Sequence, residues 1–372
     1  MLLNVPELIF LRYHGTIVSI REGVIGSLLG TAVGDSLGLP FEGLVPARAR
    51  RLFSGSIRQR LVFGRGMLSD DTDHACLTAL AITRSPSDHD LFIRNLAWYL
   101  RFWGASLPAG IGFATLRAIG KLWLGFGCSS SGVFSAGNGP AMRSPIIGAS
   151  FVDDDPGLVT MVRLSTRLTH TDPKAEAGAL LAAFATRYAI KNPGKSPSSS
   201  GILESLRVAL GEDITKELSI LVEKADKSAA SGCTTPEFAA SIGLERGVSG
   251  YMYHTIPCVL HAWFRHPDDF RAAIEDLLAC GGDADTTCAI LGGIMGAGLG
   301  KAGIPADWLN GIMDWPWNVT SIEEAGNRLA KALESRLPQP VPAIIWPAVF
   351  VRNLAFLAII LGHGFRRLLP PY

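Results

Sequence analysis

Residues 281–299 read GGDADTTCAILGGIMGAGL: two glycines, two aspartates around an alanine, two threonines, then twelve residues without a charge. Small and aliphatic residues recur there at three- and four-residue spacing, which predicts a helix over 286–299. The paired glycines suit a tight turn, because glycine reaches backbone angles that other residues resist. Asp283 and Asp285 therefore arrive together at a helix entrance, and Thr286 adds a hydroxyl. The layout occurs a second time. Residues 69–73 read SDDTD, placing Ser69, Asp70 and Asp71 directly ahead of a helical pattern over 72–83. An acidic or hydroxyl side chain before a helix can simply cap free N–H groups and meet the positive end of the helix dipole. One cap accounts for one aspartate and leaves the crowding of several unexplained.

Working outward, the same periodicity predicts helices over 23–33, 89–102, 174–190, 202–210, 256–264, 270–279 and 322–336. Period-two alternation is nearly absent, and no fixed-period repeat is found. Breakers separate the segments, notably 191–201 (KNPGKSPSSSG), and the Gly- and Ser-rich stretch 125–139 reads as a long loop. The expected fold is all-α: one compact helical domain over 20–337, an N-terminal extension over 1–19 and an apolar C-terminal tail over 338–372.

The chain has 372 residues, 48% apolar and 18% charged, enough to bury a full core and unlike a disordered composition. Its net charge of +1 gives no basic stripe, so nucleic acid is not expected as a partner. The six cysteines are scattered without a CxxC pair, which fits reduced thiols in a cytoplasmic protein. Pro6, Glu7 and Arg12 interrupt the N-terminus, so a signal peptide is not expected. Residues 341–361 are strongly apolar but carry Pro342, Pro347 and Arg352-Asn353. The unbroken piece 354–361 falls short of the about 20 residues that span a bilayer. With Arg366 and Arg367 behind it, the tail reads either as a peripheral membrane contact or as a terminal helix packed on the domain.

Oxygen-only side chains favour Mg²⁺, Mn²⁺ or Ca²⁺ over softer metals. Glu42, in the stretch 38–43 (GLPFEG), is a further candidate. Should Asp70, Asp71, Asp283, Asp285 and Glu42 converge, a pair of divalent ions roughly 4 Å apart would relieve their repulsion. Spacing alone leaves a metal site and ordinary capping both open.

Read together, 26–38 (GSLLGTAVGDSLG), 69–72 (SDDT), 137–143 (GNGPAMR), 169–172 (THTD) and 281–287 (GGDADTT) resemble, in content and order, the ADP-ribosylglycohydrolases. Residues 250–257 (GYMYHTIP) and the run Ile304-Pro305-Ala306-Asp307-Trp308 are also similar, so the resemblance covers about residues 20–315. It implies an orthogonal all-helical domain with a binuclear Mg²⁺ or Mn²⁺ centre in a cleft. Carried over by position, the metal ligands would be Ser69, Asp70, Asp71, Asp283, Asp285 and Thr286. Ser69 stands where the family usually has Thr, keeping the hydroxyl and losing a methyl. Gly137, Asn138 and Gly139 look like the segment that holds the diphosphate and distal ribose, although GNG alone reads as a turn. His170 resembles a position near the site, although a lone His is as readily structural.

The activity implied is hydrolysis of the glycosidic bond between ADP-ribose and an acceptor, either a protein side chain or a small molecule. Asp71 or Glu42 would handle the proton. Two rivals remain at this level: a non-catalytic ADP-ribose-binding protein on the same fold, and a two-metal phosphatase or pyrophosphatase.

Overall fold

The computed structural model describes residues 18–52 and 55–366. Most of the expected N-terminal extension, and Arg367, lie outside the described residues. Helices begin where short polar side chains stand ahead of apolar periodicity. Ser19 with Glu22, and Thr234 with Glu237, form reciprocal capping boxes. Asp88, Asp154, Asp172 and Asp269 each accept a hydrogen bond from a first-turn N–H.

The elements run α1 (Ile20–Gly38), α2 (Pro46–Leu52), α3 (Asp70–Arg84), α4 (His89–Ala105), α5 (Phe113–Trp123) and α6 (Ser144–Ser150). Then come α7 (Asp155–Arg167), α8 (Pro173–Lys191), α9 (Ser199–Leu210), α10 (Glu212–Ala230), α11 (Thr235–Ser241) and α12 (Met252–Arg265). The chain closes with α13 (Phe270–Leu278), α14 (Ala284–Leu299), α15 (Ala306–Leu309), α16 (Val319–Ser335) and α17 (Trp346–Arg366). No strand forms among the described residues, only isolated bridges, so the fold is all-α.

The axis of the molecule is the antiparallel pair α1 and α14. Gly26, Gly30 and Gly34 face Gly296, Gly292 and Cys288 so closely that an added Cβ would sit 2.0 Å from each facing carbonyl oxygen. Only glycine permits that approach. Every residue from Gly23 to Gly38 is buried, which explains why α1 is apolar all round. Residues 252–257 of the GYMYHTIP stretch supply the first turns of α12, and α16 and α8 close the sides of the pair. The six cysteines carry free thiols.

In the tail, the residues that interrupt the apolar run do not interrupt the helix. Trp346–Arg366 is one continuous helix. Pro347 sits in its first turn, where the missing N–H has no intrahelical partner to lose. Arg352 and Asn353 stay inside it because their side chains bond to the domain: Arg352 pairs with Asp314, and Asn353 Nδ2 donates to the Ser106 carbonyl at 2.9 Å.

Candidate active site

The close packing of α1 on α14 has a consequence at one end. There the C-terminal turn of α1, the N-terminus of α14 and the N-terminus of α3 meet. Gly281 and Gly282, both at positive φ, form the turn that enters α14. Neighbouring backbone clamps that turn: Gly43 N–H donates to the Gly282 carbonyl at 2.8 Å, and Asp283 N–H donates to Val248 at 2.7 Å. The clamp places the 41–44 segment, with Glu42, beside Asp283 and Asp285.

Ser69 caps α3 and its hydroxyl contacts Asp71 Oδ2 at 3.2 Å. Thr286 Oγ1 donates to the same oxygen at 3.2 Å, joining α14 to α3. Asp71 is fully buried, beneath the cleft surface. Glu42, Ser69, Asp70, Asp283, Asp285 and Thr286 line a cleft of about 480 Å³. That volume lies in the roughly 300–1,000 Å³ range of small-molecule sites. Gly137, Asn138, Gly139 and His170 line the same cleft. Asn138 bridges the two groups, donating from Nδ2 to Asp283 Oδ2 at 2.7 Å and to Thr255 Oγ1 at 3.0 Å.

Burial is the first cause of the raised carboxyl pKa values at Asp70, Asp71 and Asp285, and repulsion is the second. Asp70 also feels Asp35, Asp73 and Glu42; Asp71 feels Asp70, Asp35 and Asp283; Asp285 feels Glu42, Asp283 and Asp71. Asp283 is raised by burial and eased by the Asn138 hydrogen bond. Asp71 Oδ1 and Asp285 Oδ1 are buried and accept no hydrogen bond. Orphaned oxygens in a hard-donor set suit a divalent cation. Among the described residues, however, no three His, Cys, Asp or Glu side chains close on one point. A cation held here would therefore draw on the hydroxyls as well as the carboxylates.

Two site residues were not picked out as functional from the sequence. Asp35, the one charged residue inside apolar 24–38, is fully buried. Its Oδ2 accepts from Ser69 N–H at 2.9 Å and from the Thr72 backbone and hydroxyl, fixing the start of α3. Burial pushes its carboxyl up to about 7. A lone Asp at the heart of a buried helix was the available signal. Arg143, at the end of GNGPAMR, is also fully buried. It donates to the Gly139 carbonyl (3.2 Å), Ser165 Oγ and carbonyl (both 2.7 Å) and Thr169 Oγ1 (2.8 Å), and contacts His74 Nδ1. Burial lowers its guanidinium to about 9. It ties the Gly139 turn to the 169–170 segment, where His170 Nδ1 contacts Thr169 Oγ1 at 2.9 Å.

Comparison with known proteins now decides the family. The model of the ADP-ribosylglycohydrolase family matches residues 17–339. The chain belongs to that family. It is 25% identical over 300 residues to ADP-ribosyl-[dinitrogen reductase] glycohydrolase of Rhodospirillum rubrum, covering 78% of this chain and 90% of that one. It is 24% identical to ADP-ribosylhydrolase ARH3 of Xenopus tropicalis, covering 76% and 89%. A solved structure titled "ADP-ribosylglycohydrolase-related protein complex" superposes with TM-score 0.62 at 25% identity, over 84% of this chain and 98% of that one. Membership of the ADP-ribosylglycohydrolases supports a hydrolase acting on ADP-ribose linkages. Helix α17 lies beyond the matched residues.

Proposed function

We propose that this ADP-ribosylglycohydrolase cleaves the bond between ribose C1″ and an acceptor atom in a reaction that depends on divalent cations, Mg²⁺ or Mn²⁺. The observation that carries the reading is the Asn138–Asp283 hydrogen bond, which joins the glycine turn to the carboxylate cluster within one cleft. Ser69, Asp70, Asp71, Asp283, Asp285 and Thr286 would hold the ions. Once bound, these would supply Lewis acidity and lower the pKa of water.

The chain's own residues account for the remaining steps. Gly137 and Gly139 leave room for a diphosphate beside their N–H groups: a Cβ at either would lie 3.2–3.3 Å from the His170 ring. His170, its pKa lowered to about 3 by burial and then by Arg143, offers the sugar a neutral ring. Attack by water forms the C1″–oxygen bond as the C1″–acceptor bond breaks. Positive charge developing at C1″ would be stabilised electrostatically by the carboxylates that line the cleft, Asp70 and Asp283 among them. Of the two candidates for the proton, Glu42 stands at the exposed rim and Asp71 is sealed beneath the cleft, so Glu42 takes the proton from water. Glu42 then gives that proton to the departing acceptor atom, which carries away the electron pair of the broken C1″–acceptor bond, and the carboxylate is restored.

The deciding experiment measures ADP-ribose release from arginine-, serine- and acetyl-linked substrates with Mg²⁺, Mn²⁺ or EDTA. Metal-dependent release from one of them is expected, and the substrate cleaved names the acceptor. AMP as product would replace this reading with a pyrophosphatase. Binding of ADP-ribose without turnover would replace it with a sensor.

A further inference from the structure

Between Leu91 and Val152 the chain has no Asp or Glu, and none follows Glu334. The fold brings these two stretches together. Phe102 of α4 contacts Trp98 at 4.7 Å, Trp123 at 5.7 Å, and Trp346 at the start of α17 at 5.9 Å between ring centroids. Trp98 and Trp123 are more than half exposed. Helix α17 then continues with its apolar side outward: Val351, Leu354, Leu357, Leu361 and Phe365 are all exposed, and no charge precedes Arg366 on that side. A surface helix of a soluble domain normally shows solvent its polar face, so this arrangement is inverted. Positive charge borders the patch. Arg94 is exposed, Arg117 lies over the Phe113 ring at 5.7 Å and Lys121 over Phe126 at 5.3 Å.

We propose that this face of α4, α5 and α17 binds the surface of an anionic lipid bilayer, with α17 lying in the interface. Tryptophan, outward aliphatic side chains and Arg94, Arg117 and Lys121 match the headgroup region in both polarity and charge, Asp90 in the first turn of α4 being the one acid these three helices carry. A second copy of the chain matches less well, since two such faces would set Arg94, Arg117 and Lys121 against each other with a single carboxylate on each, Asp90, to offset them. The helix lies flat and does not span, because Arg352, Asn353 and the buried Phe356 tie its inner side to the domain. Phe113, Phe356 and Ile360 also line the cleft, so its mouth opens beside the lipid. The proposal does not depend on the catalytic reading.

The test is sedimentation of the full chain with vesicles of phosphatidylcholine alone or containing about a quarter phosphatidylglycerol. Sedimentation with the anionic vesicles only, weakened by about 0.5 M salt, is expected. Leu354→Glu with Leu361→Glu should lower the bound fraction roughly tenfold or more, with helical circular dichroism retained. In the unsubstituted chain, acyl-chain-brominated anionic lipid should quench tryptophan emission, a readout that does not depend on the variant folding. Failure of the unsubstituted chain to bind or be quenched, or equal binding by the folded variant, would overturn the proposal. So would a dimer that the two glutamates dissociate while lipid binding is absent, which would assign the face to a second copy.

Discussion

At the scale of single residues, the cleft depends on neutral groups placed beside charged ones. Asn138→Ala leaves Asp283 Oδ2 without its 2.7 Å donor and the carboxylate free to turn. Loss of such a partner behind a proposed ligand is expected to lower kcat/KM about 10- to 100-fold, with only about 1 kcal/mol lost in stability. Steady-state ADP-ribose release and urea unfolding check the two parts. Unchanged turnover would remove the link on which the functional reading rests. His170 gives a pH dependence. Its folded pKa, about 3, lies below the unfolded 6.5. The unfolded chain therefore takes up a proton that the folded chain refuses, and the stability tied to neutral His170 is complete above pH 6.5 and falls away toward pH 3. Between pH 6.5 and 5 that amounts to about 2 kcal/mol. His170→Gln should flatten this part of the acid limb in unfolding experiments, and an unaltered limb would place the dependence elsewhere, for instance on buried His74. Asp283, Asp285 and the SDD run were legible in the sequence because several carboxylates at one helix entrance exceed what capping needs. Asp35 and Arg143 were not. Each acts through backbone groups distant in sequence, a relation that spacing does not encode.

At the scale of elements, the site is only as well formed as the contact between α1 and α14. Gly30→Ala would set a methyl 2.0 Å from the Gly292 carbonyl oxygen, backbone against backbone, where neither helix can yield locally. The expected cost is about 3 kcal/mol or more, with activity lost in any fraction that folds, because Asp35 and Asp285 sit on the helices forced apart. Gly120→Ala supplies the contrast. That residue lies in α5 with open space around its Cβ position, so the change should stabilise by about 0.5–1 kcal/mol through helix propensity alone. Equal effects in thermal unfolding would mean that the close approach is not what the glycines serve. The nine helices expected from periodicity all form, most of them extended at one or both ends, by as much as five residues at the C-terminus of α1, while α13 and α16 each stop one residue early. Those not expected, α7 and α10 among them, carry charges interleaved with their apolar positions. Only the partner helix reveals which face is buried.

At the scale of the whole molecule, α17 shows how a segment outside the family match becomes part of the site. The sequence marked its residues as breaks, and Arg352-Asn353 does interrupt an apolar run. In three dimensions the same pair fastens the helix. Arg352 Nη2 donates to the Leu68 carbonyl at 2.6 Å and pairs with Asp314, whose Oδ2 accepts the Leu68 N–H at 2.7 Å. Both backbone polar groups of Leu68 are thus held by one buried ion pair, immediately before Ser69 and the start of α3. Arg352→Ala would leave Asp314 buried without its cation, at a cost of about 3–5 kcal/mol. Asp314→Asn in that background removes the stranded charge and keeps an acceptor for Leu68. The double variant should therefore be more stable than Arg352→Ala alone, although it lacks both charges. Activity should separate from stability in the same pair. With the Leu68 carbonyl released, Ser69 is less firmly placed, so kcat/KM should stay depressed in the double variant after the fold has recovered. Additive losses of stability would mean that the pair does not act as a unit. Full recovery of turnover would mean that α17 holds the domain together without positioning the cleft.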